Sequence, residues 1–242
     1  MEPSQKARFL ASLAPHSGDW LLVLPIANCG LRLDDEAVHV AVSMRLGLSL
    51  CIPHSCPCGE QVDDQGLHAT VCKKAPGRIA RHQVLNDIIW RSMGAAGIPD
   101  TKKPSGLVRQ DGKRPNRLTL IPWQGGKSLA WDVTVVSTLA QSYVDRAATG
   151  VRAVAEMAAE RKLAKYSNLA SNFTIQPIAV DHLGPFSLST LEFLCDLGHK
   201  LNSFSGEEQA SSFLFQRLSV SLQRFNSVLL HDTFVIDDVP DQ

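Results

Sequence analysis

Residues 117–136 read RLTLIPWQGGKSLAWDVTVV, and this stretch decides the fold. LTLIPW (118–123) and SLAWDVTVV (128–136) are apolar, β-rich runs. Gln124-Gly125-Gly126-Lys127 lies between them, a spacing that predicts a β-hairpin. Downstream, an alanine-rich segment predicts one helix from about Ala140 to Asn168, FTIQPIAV (173–180) a third strand, and the closing segments two helices at about 188–201 and 207–230. Strand, strand, long helix, strand is an α/β order, and the crossover makes the last strand parallel to its predecessor.

Upstream of the hairpin, PDTKKPSGLVRQDGKRPNR (99–117) is rich in turn formers and reads as a basic loop. Before it, a helix is expected from about Arg78 to Met93 with Ile79, Leu85, Ile88 and Ile89 on one side, ended by Gly94, Gly97 and Pro99. EAVHVAVSMRLGL (36–48) has helical apolar spacing, whereas WLLVLP (20–25) is short and proline-ended, which predicts a turn or buried loop. The chain therefore divides into a linker region (1–50), a cysteine-rich knuckle (51–75), an α/β domain (76–230) and an acidic tail (231–242).

Across 242 residues, 44% hydrophobic and 20% charged content is that of a globular protein rather than a disordered or fibrous one. No apolar run approaches the roughly 18 residues a membrane helix needs, so no membrane partner is expected. The first twenty residues lack a basic region followed by an apolar one, so a secretory leader is not expected either. An intracellular chain keeps its six cysteines reduced or metal-bound.

The net charge of zero hides a polarity. Residues 73–127 carry twelve basic side chains against three acidic ones (Asp87, Asp100, Asp111), while residues 167–242 carry three against nine. Such a local excess suits a polyanion surface, because each neutralised phosphate releases a counterion. A solvated basic face is the plainer alternative.

Cys56, Cys58, His68 and Cys72 fall within seventeen positions. Three thiolates and an imidazole complete a closed tetrahedral Zn²⁺ shell, the pattern of a structural site. Cys51 and His54 lie just upstream and are substitute ligands; unpaired buried cysteines beside a chance histidine are the alternative. Asp132 sits mid-strand among apolar residues, where a carboxylate is costly unless paired, hydrogen-bonded or bound to a cation; an edge aspartate facing water is the alternative. Thr134 shares its strand face. Lys162, Lys165 and Tyr166 follow at i, i+3 and i+4 on one helix side, where a lysine either holds a phosphate or simply faces solvent. Cleavage of a phosphodiester with Mg²⁺ generally needs a second carboxylate. The natural place for it, at the start of the preceding strand, holds Asn116.

At these residues the chain resembles the restriction-endonuclease-like region of early-branching non-LTR retrotransposon polyproteins, which follows the reverse transcriptase. Residues 17–48 resemble the polymerase-to-knuckle segment, and CPCGEQVDDQGLHATVC (56–72) the family's Cys-Cys-His-Cys knuckle. GRIARHQVLNDII (77–89) resembles its Arg-His helix. KRPN (113–116) followed by WDVTVV (131–136) is similar to its Lys/Arg-Pro-Asp and Asp-x-Thr motifs, and RKLAKY (161–166) to its Lys-x-x-Lys-Tyr. The resemblance implies a PD-(D/E)xK core, a mixed sheet flanked by helices, that nicks DNA so that the free 3′ end primes reverse transcription. Asp132 would be a Mg²⁺ ligand and Lys165 the displaced catalytic lysine, with Lys162 beside it. Arg81, His82, Lys113, Arg114 and Arg117 would grip DNA or the element's RNA, in the nucleus or cytoplasm. Asn116, standing for the family's first metal-binding aspartate, implies impaired cleavage unless Asp111 or Asp87 supplies the charge. No polymerase motif is found in residues 1–50.

Overall fold

The structure is a computed structural model that describes residues 1–107 and 114–234. In chain order the elements are α1 (Pro3–Ser12), α2 (Asp35–Leu46), β1 (His54–Ser55), β2 (Gln61–Val62), α3 (Gly77–Ala95), β3 (Asp100–Lys102), β4 (Arg117–Gln124), β5 (Lys127–Val136), α4 (Val144–Ala147), α5 (Ala153–Lys165), β6 (Thr174–Asp181), α6 (Leu188–Ser205) and α7 (Ala210–His231).

Residues 117–136 form the expected hairpin. Gly125 and Gly126 both take positive φ (57° and 75°), the backbone that a tight two-residue turn between twisted strands requires. β4 pairs antiparallel with β5, and β6 lies parallel to β5 from Leu129↔Thr174 to Val136↔Asp181. The sheet order is β3-β4-β5-β6, a mixed sheet. As the central strand, β5 is buried from Leu129 to Val133, so its apolar run needs no alternation.

Period-2 geometry sends Leu129, Trp131 and Val133 to one face, where they join a core with Leu85, Ile88 and Ile89 of α3, Leu194 and Leu197 of α6, and Leu214, Leu218 and Leu222 of α7. The opposite face packs on α5 through Ala158, Ala159 and Ala179. Small alanines let α5 approach the sheet closely, and this proximity brings its C-terminal turn up to Asp132.

Three expectations are corrected. The single helix over 140–168 is two, α4 and α5, because Gly150 interrupts the run and Arg152 takes a left-handed φ of 70° before α5 begins. Ile79 is 67% exposed and does not share the apolar side of α3. The basic loop contains a short edge strand, β3, paired with β4.

The N-terminal region and knuckle are cored together with the sheet domain. Ala11, Val40 and Met44 pack with Ala69, Leu139, Leu183 and Leu230, and the knuckle cysteines pack on Leu229 of α7. A buried polar seam strengthens this junction. Arg45 of α2 donates to Gln223 Oε1 of α7 (2.9 Å) and to the Leu183 carbonyl (2.9 Å). The sequence segments at residues 50 and 75 thus mark changes of motif, not gaps between separate cores. Of the acidic tail, 235–242 lies outside the described residues.

Candidate functional site

The knuckle is built by the small β1–β2 hairpin and a 3₁₀ turn, Leu67–Thr70, that carries His68. Gly66 enters that turn with φ 66°. The donor atoms of Cys56, Cys58, His68 and Cys72 lie within 4.8 Å of one another. Cys56 Sγ and Cys72 Sγ are 3.8 Å apart. Two thiolates bonded to Zn²⁺ at about 2.3 Å in a tetrahedral shell would stand about 3.8 Å apart, so the spacing fits the ion. Burial pushes the Cys56 thiol up to about 11, while the Glu60 backbone N–H draws Cys58 below the usual thiol range. A cation is what would keep the buried thiol ionised. The two substitute ligands are engaged elsewhere: Cys51 Sγ donates to the Asp63 carbonyl (3.3 Å), and His54 contacts Thr233 Oγ1 (2.9 Å) and stacks on Phe234.

The knuckle's chain leads directly into α3, whose N-terminus is tied down by the Gly77 N–H donating to Asp232 Oδ2 (2.8 Å). A Cβ at residue 77 would meet that oxygen at 2.6 Å, so a larger residue would make the Asp232 side chain shift. The anchored helix delivers His82 and Asn86 to the end of β5. His82 Nε2 lies 3.2 Å from the Val133 carbonyl, and Asn86 Nδ2 donates to the His82 carbonyl (2.7 Å).

Asp132 is 5% exposed and faces α5. Its Oδ2 accepts from Lys162 Nζ at 2.6 Å and lies 2.8 Å from the Tyr166 hydroxyl. The tyrosine oxygen is 3.0 Å from the Arg114 carbonyl, and Lys165 Nζ donates to it at 2.8 Å. The helical i, i+3, i+4 group therefore does converge on the strand aspartate, with Lys162 in direct contact and Lys165 reaching it through Tyr166. Asn116 stands one residue before the pair Arg117↔Trp131, in the register position opposite Asp132. Its Nδ2 donates to Asn86 Oδ1 (3.0 Å) and lies 3.1 Å from His82 Nε2. Thr134, on the same strand face as Asp132, is half-buried.

Beside this group opens a cleft of about 510 Å³ lined by His82, Gln83, Asn86, Asp87, Lys102, Lys103, Asn116 and Arg117. Burial depresses the His82 pKa, an effect the Asp132 carboxylate opposes. Lys102 and Lys103 are exposed on the rim. Asp132 is not a lining residue, so the cleft reaches the His82–Asn116 side of the group.

The residues expected to grip nucleic acid divide. His82 lines the cleft. Arg114 is half-buried over the Tyr166 contact, and Lys113 and Asp111 lie outside the described residues. Arg117 lines the cleft but is 8% exposed, paired with Asp100 (3.0 Å) and stacked 4.5 Å over Trp90. It shapes the wall and has little reach beyond it. Arg81 is turned inward, away from the surface of the cleft. It is 3% exposed, its Nε and Nη1 have no hydrogen-bond partner among the described residues, and burial presses its pKa to about 10. Helical phase turns it into the core side of α3 while its neighbour His82 faces the cleft.

Sequence reading missed Asn86, Lys102, Lys103 and the Asp100–Arg117–Trp90 wall. Asn86 carried a usable signal, four residues after His82 on the same helix face. The lysines were visible only as members of a charged loop, because β3 supplies the pairing that aims them. Asp87, a candidate second carboxylate, is held by Arg91 Nε at 2.6 Å. No helix among the described residues is long and apolar enough to cross a membrane. No protein-family model matches this chain, and no curated protein sequence matches it.

Proposed function

We propose that this chain is a nucleic-acid-binding, endonuclease-like domain of mobile-element type, built on a PD-(D/E)xK core and stabilised by zinc at Cys56, Cys58, His68 and Cys72. DNA is its main ligand, bound in the nucleus. Ancestrally it is a Mg²⁺-dependent nickase serving target-primed reverse transcription, and Asn116 has impaired its cutting. The observation that carries this reading is the buried Asp132, met by Lys162 and Tyr166 on one side and by the register position of Asn116 on the other, beside a lysine-rimmed cleft. A carboxylate in the centre of an apolar strand is costly unless paired or bound to a cation, and its place against a lysine helix supports phosphodiester chemistry in its past.

The chain's residues supply two functions in this proposal. Lys102 and Lys103 attract the phosphate backbone, and His82, Asn86 and Asn116 offer neutral polar groups at the cleft floor. Fluorescence anisotropy with a duplex DNA tests binding, with log affinity falling linearly against log salt. A plasmid-nicking assay with Mg²⁺ or Mn²⁺ tests ancestry: wild type is nearly inactive, Asn116→Asp gains nicking, and adding Asp132→Ala abolishes it. No affinity for any nucleic acid, or a folded Asn116→Asp that never nicks duplex or branched DNA, defeats the reading.

A further inference from the structure

We infer that the Asp132 site is closed to divalent metal ions and that Lys162 supplies the positive charge a cation would bring. The inference rests on reading Asp132 as the remnant of a metal site, but it concerns this chain's own charge balance and needs no DNA to be tested.

Mg²⁺ binds hard oxygen donors in near-octahedral geometry, parts with water reluctantly, and is usually held by one or two carboxylates that are free to ligate it. Among the described residues no such free carboxylate stands beside the cleft. Asp132 Oδ2 is taken by Lys162 Nζ at 2.6 Å and by the Tyr166 hydroxyl at 2.8 Å. The other carboxylates around the cleft are paired in the same way. Asp87 bonds Arg91, and Asp100 accepts from Arg117 and from the Trp131 indole N–H (3.1 Å). Each of these three carboxylates among the described residues has its own cation. Opposite Asp132, the Asn116 amide is uncharged and tied to Asn86 Oδ1. A divalent ion arriving at Asp132 would have to displace an ammonium from a carboxylate whose side chain is 7% exposed. Among the described residues it would gain a single charged ligand in return. The described residues do not fit Mg²⁺. What remains is a site that is electrically complete without metal, next to two exposed lysines that carry the surplus positive charge toward a phosphate.

The test is Mn²⁺ titration of the zinc-loaded full chain, followed by the electron paramagnetic resonance signal of free Mn²⁺. Wild type and Asp132→Asn should leave the same free signal across the submillimolar range. Asn116→Asp restores a second carboxylate and should bind one equivalent at least about tenfold more tightly than wild type. Lys162→Ala, which leaves position 116 untouched, should also gain Mn²⁺ affinity by freeing Asp132. A saturable wild-type site that Asp132→Asn removes would overturn the inference. So would failure of both gain-of-binding variants, each shown folded by circular dichroism. Loss of the DNA-binding reading would leave these outcomes standing, and a Mn²⁺ site in wild type would leave DNA binding standing.

Discussion

The knuckle and the Asp132 cleft are two polar constellations with opposite charge logic. In the knuckle, three thiols and an imidazole, all metal-ligand types, place their donor atoms within 4.8 Å of one another. In the cleft, each described carboxylate already touches a lysine or arginine. The first arrangement calls for a metal to complete it; the second is complete as it stands. Residue types alone therefore do not identify a metal site, since an aspartate beside a lysine helix can be a ligand or a member of an ion pair. What separates the cases is whether the protein has supplied the counter-charge itself.

The sharpest way to break this comparison is to remove the ligands on each side. If zinc fills the knuckle, Cys72→Ser or extraction of the metal should cost more than about 4 kcal/mol of unfolding free energy, because the metal would hold together a segment whose own share of the core is small. The loss should spread into α3 and the end of α7, since Cys56 and Cys72 pack on Leu229 and the chain then enters α3 through the Asp232-capped Gly77. Hydrogen exchange that rises in the knuckle while α3 and α7 stay protected would show the two regions to be uncoupled. On the cleft side, Asp132→Ala strands Lys162 beside an apolar strand and should cost about 2–4 kcal/mol by urea denaturation. The pair variant Asp132→Leu with Lys162→Met should recover most of that loss, because a matched apolar pair replaces a matched ionic one. An additive double-variant cycle would show that the two side chains do not couple.

The same contrast decides what could be read from the sequence. All four knuckle ligands lie within seventeen residues, so their spacing alone brings them together, and the local Gly66 turn does the rest. The hairpin was equally legible, because its glycine pair and flanking apolar runs are local signals. The Asp132 group and the cleft beside it join residues from α3, the loop before β4, β5 and α5, from His82 to Lys165 along the chain. There the sequence showed that Asp132 and the lysine helix needed partners, and the parallel β5–β6 crossover was what placed them together. Sequence did not show which lysine makes the contact, since Lys162 and Lys165 share a helix side and differ only by one turn. Nor did it show Arg81 turning inward. Two adjacent basic residues on a helix look alike in composition, and the 100° step between them sends one to the core and one to the cleft.

Smaller perturbations sharpen the account of the cleft wall. Arg117→Ala leaves the Asp100 carboxylate buried without its cation and removes the stack on Trp90, a cost of about 2–3 kcal/mol. Arg117→Lys should recover only part of it, because an ammonium cannot lie flat between Trp90 and Trp131 while bonding Asp100. His82 gives a pH signature. Burial holds its pKa below the ordinary 6.5, so below about that pH the unfolded chain binds more protons than the folded one. Its contribution to stability is full above 6.5 and is lost as pH falls toward the depressed folded value. Urea denaturation at several pH values should show this acid-side decline in wild type and a shallower one in His82→Gln. An unchanged slope would mean that His82 is not the buried titrating group.

The smallest expected effect on stability carries the most information about binding. Lys102 and Lys103 are exposed at the cleft rim, so Lys102→Gln and Lys103→Gln should each change unfolding free energy by less than about 0.5 kcal/mol. Each should nevertheless lower the slope of log affinity against log salt for duplex DNA by about one, the signature of one lost phosphate contact. Arg81→Gln supplies the contrast. It removes a buried guanidinium and so perturbs folding, but a side chain 3% exposed contacts no phosphate, and the salt slope should stay at its wild-type value. If the slope instead falls with Arg81→Gln and holds with the two lysine variants, the nucleic acid lies along α3 and not across the rim of the cleft.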